Sequence, residues 1–314
     1  TSQDFCNWIC DPEQLDPEFL MHAFMASQAY LRGLGSGAVH KTIYMPTIKS
    51  FHVCMPEVEK QKALVGEVRA QMAEAATARR AAHEQTELAN TRLAAAILTE
   101  QFNNHSIAVT PAQGSATREG WQWHRLQSLA RLESGHTPSR RHPEWWGGDV
   151  PWLALPDIRK LHSKVATQTT EYINDAGLAN SSARLLPKDT VCVSRTASVG
   201  FVTILGRPMA TSQDFCNWIC DPEQLDPEFL MHAFMASQAY LRGLGSGAVH
   251  KTIYMPTIES FQICAPKLAE QQRIASLLRE RLVATERLQT NLKERLAQIE
   301  LLPQRMLAAA FGVA

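Results

Sequence analysis

The chain repeats itself. Residues 1–48 recur without a change as residues 211–258, an offset of 210 positions. The likeness then fades. Lys49 faces Glu259, Phe51 faces Phe261, Cys54-Met55-Pro56 faces Cys264-Ala265-Pro266, and Gln61 faces Gln271. Protein surfaces tolerate change, so folding alone does not demand such identity. It points to recent duplication, gene conversion or construction. The plan it dictates is a module end, a helix, the same module end and another helix, a pseudo-twofold arrangement in one chain. The contexts differ. The second copy follows a stretch of mixed strand and loop at 119–210, whereas the first copy begins at Thr1. A half-module exposes apolar surface and an open strand edge. The expectation is therefore that further residues precede Thr1 or that another chain completes the fold.

Each copy leads into a helical pattern. Phe51-His52-Val53-Cys54 and Phe261-Gln262-Ile263-Cys264 read as strands, closed by Pro56 and Pro266, with a helix starting just after each. The second helix runs from about Ala269 to Ala310, roughly 60 Å at 1.5 Å per residue. One heptad position holds Leu278, Thr285, Leu292, Ile299 and Met306, and its companion holds Ile274, Leu288, Leu302 and Ala309, interrupted by Arg281 and Arg295. Pro303 should kink the helix near its end. The first helix runs from about Val58 to Thr99 with a slimmer seam: Val65, Val68, Met72, Ala75, Ala78, Ala82, Ala89, Leu93 and Ala96. Alanines let two axes approach closely, but such a seam needs a partner. The other long helix is the natural one, paired antiparallel. The residues expected to make that packing are Val65, Val68, Met72, Ala75, Leu93, Ile274, Leu278, Leu288, Leu292, Ile299 and Leu302; packing on other subunits is the alternative. Arg92-Leu93-Ala94-Ala95-Ala96-Ile97 also resembles Arg305-Met306-Leu307-Ala308-Ala309-Ala310-Phe311. The polar stretch from Gln101 to Thr117 reads as a linker.

The module between the helices carries loops and short strands. Gly135 and Pro138 mark a loop lined with hydroxyl and basic side chains. Trp145-Trp146-Gly147-Gly148-Asp149 turns into a short apolar strand, Asp189 to Arg195 alternates as a strand should, and Gly200 turns into Phe201-Val202-Thr203-Ile204-Leu205. This pattern predicts α+β rather than a doubly wound sheet. Asp226-Pro227 starts a helix expected to run to about Tyr240, with Leu230, Phe234 and Met231 facing inward. The tryptophans Trp145, Trp146 and Trp152 read as core. The division is 1–56, the end of a first module; 57–100, a long helix; 101–118, a linker; 119–266, a complete module; and 267–314, the second long helix.

Charge and cysteine content narrow the function classes. Lys+Arg is 31 and Asp+Glu is 31, which excludes a histone-like or polybasic chain but not DNA binding by one face. Residues 117–210 carry 12 Arg and Lys against 8 Asp and Glu, and residues 1–48 carry 2 against 5, so the basic excess sits early in the complete module. No apolar run reaches bilayer length, and no signal-peptide pattern opens the chain. The 7 cysteines read as free thiols of a reducing compartment, which places the chain in the cytoplasm. Cys216-x-x-x-Cys220 and its copy Cys6-x-x-x-Cys10 offer two of the four ligands that zinc needs. His232 is a spare candidate, but apolar neighbours favour buried thiols and no metal site. Gly243-x-Gly245-x-Gly247-x-x-x-Lys251-Thr252 lacks Walker spacing. No methyltransferase or nuclease site stands out.

In order along the chain, Ser134-Gly135-His136-Thr137-Pro138-Ser139, Gly147-Gly148-Asp149-Val150-Pro151-Trp152-Leu153, Ser194-Arg195-Thr196-Ala197-Ser198-Val199-Gly200, Thr211-Ser212-Gln213-Asp214, Gly245 to Thr252 and Pro266-x-x-x-Glu270-Gln271-x-x-Ile274 resemble the specificity subunit of Type I DNA restriction–modification systems. The resemblance covers essentially the whole chain. It implies target recognition domains of mixed α/β type alternating with conserved helices. Each domain would read one half of a split DNA sequence, and the two helices would pair as an antiparallel coiled coil and set the spacing. It implies a non-catalytic chain whose partners are double-stranded DNA, two modification (methyltransferase) subunits and restriction (translocase/nuclease) subunits. S-adenosylmethionine, Mg2+ and ATP would belong to those partners, with no cofactor bound by this chain. The departure is at the N terminus, where only the C-terminal half of a first recognition domain is present.

Readout then needs phosphate contacts for register and base-edge contacts for sequence. The candidate DNA-binding residues are Thr137, Ser139, Arg140, Arg141, His142, Ser194, Arg195, Thr196, Gln213, Asn217, His250 and Lys251. Arg140, Arg141 and Arg195 suit guanine or phosphate, and Gln213 and Asn217 suit adenine; the plainer reading for any one arginine is a solvated surface charge. The alternatives are a truncated scaffold that binds no DNA, a Type IIB specificity subunit, and an unrecognised two-domain enzyme.

Overall fold

A computed structural model describes residues 4–36, 41–102, 106–110, 118–247 and 251–312. The chain divides into two compact units, residues 1–90 with 287–314 and residues 91–286. Both divisions fall inside helical segments. The linear boundaries expected from sequence therefore differ from the units, because each long helix contributes one end to each unit.

In chain order the helices are α1 (Pro17–Ala26), α2 (Gln28–Leu34), α3 (Met45–Lys49) and α4 (Val58–Leu88). A π-helical segment, Ala89–Leu93, joins α4 to α5 (Ala94–Phe102). There follow β1 (Ile107–Ala108), β2 (Gln122–Arg125), β3 (Ala130–Ser134), β4 (Trp146–Leu153), α6 (Leu155–Leu161), β5 (Val165–Ala166), β6 (Glu171–Ile173), α7 (Asp175–Ala179), β7 (Val191–Ser194), β8 (Val202–Leu205), β9 (Ala210–Thr211) and β10 (Phe215–Cys220). The chain continues with α8 (Pro227–Ala236), α9 (Gln238–Leu244), α10 (Met255–Glu259), β11 (Gln262–Ala265), α11 (Leu268–Glu300) and α12 (Leu302–Phe311).

Unit one is helical among its described residues. Asp16 caps α1 by accepting from the Glu18 and Phe19 amides, with Pro17 at the first turn, where its missing N–H costs nothing. Gln61 on α4 is fully buried. Its amide oxygen accepts from the Asp16 N–H at 2.9 Å, and its nitrogen donates to the carbonyls of Gln14 and Pro56 at 2.9 and 2.8 Å. One side chain thus ties the start of α1 to the start of α4. Arg69, about two turns further along α4, pairs with Glu18. α12 packs on both α1 and α4, and the rings of Phe19 and Phe311 lie 5.1 Å apart. The end of α11 runs against α4. His83 Nε2 is 3.5 Å from Glu300, and Gln289 donates to the Ala89 carbonyl at 2.9 Å. The partner number falls as the first rises, so the two run antiparallel.

Unit two is the α+β part. Its sheets have the orders β1-β11-β2, β3-β10-β7-β8-β5 and β6-β4-β9. Pairing is antiparallel except between β4 and β9 and between β5 and β8. β10 occupies an inner position, with Trp218 opposite Leu132 of β3 and Val191 of β7. The largest core cluster joins Trp218, Phe229, Phe234, Phe261, Ile263 and Leu278. Asp226 caps α8, and Leu230, Met231 and Phe234 are buried as the pattern predicts. Gln271 and Arg279 repeat, 210 positions on, what Gln61 and Arg69 do in unit one. Gln271 accepts from Asp226 and donates to Gln224 and Pro266, and Arg279 pairs with Glu228. α5 packs on α8 with Phe102 and Phe229 5.4 Å apart, and Arg281 of α11 reaches Glu100 of α5 at 3.0 Å.

Several expectations change. The helix predicted to reach Tyr240 breaks at Ser237, whose hydroxyl instead receives the amides of Ser106 and Ile107. The stretch read as a linker contributes β1, which pairs with β11. Phe261–Cys264 lies largely in β11, but Phe51–Cys54 forms no strand, because among the described residues no strand lies beside it. The two helix ends align through Leu98 and Phe102 with Leu307 and Phe311, not through the alanine runs. Of the residues expected to pack the helix pair, Val65, Val68, Ala75, Ile274 and Leu278 are buried, the last two within the main core of unit two, and Met72, Leu93, Leu292, Ile299 and Leu302 are partly buried. Leu288, expected to pack, is 45% exposed. Pro303 interrupts the second helix as expected, at Leu301.

Candidate nucleic-acid interface

Four loops of unit two meet: 135–142 after β3, 195–200 after β7, 212–214 after β9, and the described part of 245–254 after α9. Their sequences explain why. Gly135 passes so close to the next strand that an added Cβ would lie 2.0 Å from the Ser212 carbonyl, so no side chain fits there. The neighbouring His136 amide donates to the Thr211 carbonyl at 2.9 Å, and its own carbonyl accepts from the Trp152 indole at 3.0 Å. Thr137 then reaches the Gln213 side chain.

Arg195 stands at the junction. Its amide donates to the Asp214 carbonyl at 2.8 Å, its Nε to the Gln213 carbonyl at 3.0 Å, and its Nη1 to the Ile253 carbonyl at 3.3 Å. Its own carbonyl accepts from the Ile253 amide at 2.9 Å, and the Ala197 amide donates to the Lys251 carbonyl at 3.0 Å. Thr196 bridges Thr252. One guanidinium therefore pins loops that are far apart in sequence, with two of its five N–H groups bonded to carbonyls. Ser212 and Asp214 bond each other inside the tight 212–214 turn.

A second cluster lies along the 135–146 loop. Arg140 makes a two-pronged bond to Glu171 on β6, at 2.5 and 2.8 Å, with its guanidinium 3.6 Å from the Trp146 ring centre. Glu171 holds the Arg140 guanidinium above its usual range, and Arg140 holds the Glu171 carboxyl below its own, both through that hydrogen bond first. His142 stacks on Trp145 at 4.1 Å and bonds Glu144 at 2.8 Å. Thr137, Ser139, His142, Trp145 and Asn180 to Ser182 line a shallow, hydroxyl-rich depression.

The candidates thus sort by position. Arg141 and Lys251 are exposed, and among the described residues no ion pair holds either. Thr137, Ser139, His142, Thr196 and Gln213 reach the surface of the same loops. Arg140 and Arg195 hold the loops in place. Two expectations fail on burial. Ser194 is fully enclosed within β7 and its hydroxyl bonds the Thr196 carbonyl; Asn217 is fully enclosed within β10 and its amide donates to Thr211 at 2.9 Å. The signal that could exclude both is their place within nearly continuous apolar runs, Val191-Cys192-Val193 and Phe215 to Cys220, since inner strands of a covered sheet bury both faces. His250 lies outside the described residues. Trp152 is core, whereas Trp145 and Trp146 are half-buried and carry His142 and Arg140.

Among the described residues no group of three His, Cys, Asp or Glu side chains comes together. Burial pushes the Cys216 and Cys220 thiols up to about 12, away from the thiolate a metal requires. No described helix is long and apolar enough to cross a membrane.

Comparison with known proteins gives this geometry a family. Residues 118–298 match the Type I restriction modification DNA specificity domain. The chain is 26% identical over 181 residues to the Type I restriction enzyme MjaIX specificity subunit of Methanocaldococcus jannaschii, covering 56% of this chain and 42% of that protein. It is 35% identical over 131 residues to the HindI specificity subunit of Haemophilus influenzae, covering 41% and 28%. The matched portions are thus less than half the length of these relatives. A solved structure described as showing complex assembly and conformational transition of the type I R-M system aligns over 96% of this chain and 72% of its own, with a TM-score of 0.73 at 20% identity. The HsdS subunit from Thermoanaerobacter tengcongensis aligns over 95% and 70%, with a TM-score of 0.63 at 19% identity. The module whose loops converge on Arg195 is the part that the family match covers, and the chain belongs to the family of Type I restriction–modification DNA specificity proteins.

Proposed function

We propose that the loop face of unit two recognises double-stranded DNA and that the chain serves as the specificity subunit of a Type I restriction–modification complex. The observation that carries this reading is the lacing of four separate loops around Arg195, with Arg141 and Lys251 left free at their surface. Rigidly placed contacts from several strands are what sequence readout needs. Arg141 and Lys251 meet phosphate or guanine, and Thr137, Ser139, His142, Thr196 and Gln213 supply shorter polar contacts. Arg140 and Arg195 act as supports. The long helices act as the spacer between two halves of a split target and as the platform for two modification subunits and the restriction subunits. Those partners carry the chemistry of S-adenosylmethionine, Mg2+ and ATP, while this chain supplies no catalytic group.

Gel shift with and without the cognate modification subunit tests the reading. Sequence-selective binding by the complex is expected. Arg141→Ala and Lys251→Ala should each weaken it about three- to tenfold and lower the salt slope by roughly 0.9 if the lost contact is a phosphate. No shift with or without the partner would overturn the proposal. It would favour a second reading, a scaffold that binds no DNA, for which the exposed Phe5 and Trp8 of unit one speak.

A further inference from the structure

The turn between β7 and β8, residues 195–201, is held by three other elements of unit two. Arg159, in the last turn of α6, donates its Nε to the Ser198 hydroxyl at 3.0 Å. Gln238 of α9 donates to the Gly200 carbonyl at 3.2 Å, and one turn later Arg242 holds its guanidinium 5.8 Å from the Phe201 ring centre. Gly200 has φ +81°, and a Cβ there would lie 2.9 Å from Gln238, so the turn closes directly onto α9. The Ala197 amide donates to the Lys251 carbonyl, which brings a third cation to the same turn.

Arg159, Arg242 and Lys251 are all exposed, and among the described residues no carboxylate pairs with any of them. The acids of the neighbouring segments are committed elsewhere. Asp157 of α6 is buried and bonds Thr170 and the Ala154 amide, and Asp214 bonds the Ser212 hydroxyl. A helix C-terminus favours a cation, which accounts for Arg159 and Arg242 taken one at a time. It does not account for two helices that deliver their terminal cations to one turn, where like charges repel. The positive field is felt nearby: burial first, and the Arg242 charge as well, push His162, whose ring lies 4.8 Å from that of Phe201, below its usual range.

We propose that Arg159 and Arg242 form a phosphate clamp on the 195–201 turn, which grips the DNA backbone without reading its sequence. The inference rests on the DNA-binding reading of this loop face and adds to it two residues and a division of labour. Arg159 spends its Nε on Ser198 and keeps both Nη groups for a pair of phosphate oxygens. The Ser198 bond sets the direction of that fork before DNA arrives. Among the described residues Arg242 makes no hydrogen bond, so its fork stays available beside the Phe201 ring. Both side chains are rooted in helices that support the turn, not in the turn itself, which suits contact with the backbone rather than with base edges. The uncompensated charge is then neutralised by phosphate, at the cost of strong salt dependence.

The test uses the full chain in complex with its modification subunits. Two labelled duplexes of equal length, one carrying the motif that the complex methylates and one scrambled, are titrated by fluorescence anisotropy at several salt concentrations between about 50 and 200 mM. Arg159→Gln and Arg242→Gln should each weaken binding to both duplexes about three- to tenfold and lower the salt slope by roughly 0.9, with the preference for the motif unchanged. Arg159→Lys and Arg242→Lys, which keep the charge, should restore the slope. Arg207→Gln, an exposed cation beyond the other end of β8, should change nothing. Circular dichroism and thermal melting of each variant control for folding. Glutamine variants that bind like the unaltered complex overturn the clamp and leave DNA recognition by the loop face standing. So does a lost preference for the motif at an unchanged salt slope, which would make these arginines base readers. Weakening that lysine does not rescue also overturns it, since packing rather than charge would then be the cause. An unaltered complex that binds neither duplex overturns the DNA-binding reading itself, and the clamp falls with it.

Discussion

Residues 5–10 and 215–220 carry the same side chains in the same order and meet opposite fates. In unit two they form β10, between β3 and β7, and Phe215 and Trp218 are 0% exposed. In unit one they form no strand, with Phe5 67% and Trp8 47% exposed. A strand is thus specified by the edges that pair with it as much as by its own residues. The next stretch teaches the converse. α1 and α8 form in both places because their Asp-Pro caps are local and because Gln61 and Gln271 bring the same three hydrogen bonds from the following helix. Elements whose partners lie within the duplicated segment and the helix after it survive the change of context. Those whose partners lie in residues 118–210 do not.

The largest expected contrast is at the tryptophans. Trp218→Ala empties an enclosed core position and should cost about 3–5 kcal/mol, whereas Trp8→Ala should cost less than about 1 kcal/mol. Denaturant unfolding of the two variants measures both, and equal losses would break the comparison by placing residues 5–10 in a packed strand after all. The pH response of unit two comes next. Burial, helped by Arg279, lowers His232 to about 4 from 6.5. The unfolded chain then binds more protons than the folded one between those values. Stability should rise with pH across that window, by up to about 3 kcal/mol, and level off above it. His232→Leu should flatten the slope.

The glutamines should behave alike. Gln61→Ala and Gln271→Ala each strand the same buried groups, so each should lose about 1–3 kcal/mol. A clear inequality would show that the two caps are not equivalent. The smallest contrast is at the serines. Ser237→Ala removes the acceptor for two buried amides and should cost about 1 kcal/mol, whereas Ser27→Ala should be nearly neutral.

Much of this was legible without coordinates. The repeat, the Asp-Pro caps, the long helices, the break at Pro303 and the α+β character of the middle module all follow from local spacing or simple periodicity. The misreadings have a common origin. β1 does not show in the sequence because a two-residue strand has no period, and what holds it is β11 and the Ser237 hydroxyl far along the chain. Phe51–Cys54 carries strand residues but no edge to pair with. Ser194 and Asn217 have side chains able to read DNA, yet both sit enclosed on inner strands. Glu171, Trp146 and the carbonyls of Gln213 and Ile253, which hold the loops around Arg140 and Arg195 in shape, carry no sequence signal either. No spacing rule brings Arg195 to Ile253.

The central claim is that the loop face built on residues 118–210, with its pinned second repeat, reads one half of a DNA target. Exchanging residues 118–210 for the matching stretch of another family member, in cells that also carry the cognate modification subunits, and mapping DNA methylation across the genome tests it most directly. One half of a split methylated motif should change while the other half and the intervening spacing persist. An unaltered motif, or the same change when only exposed residues of unit one are exchanged, would contradict the account.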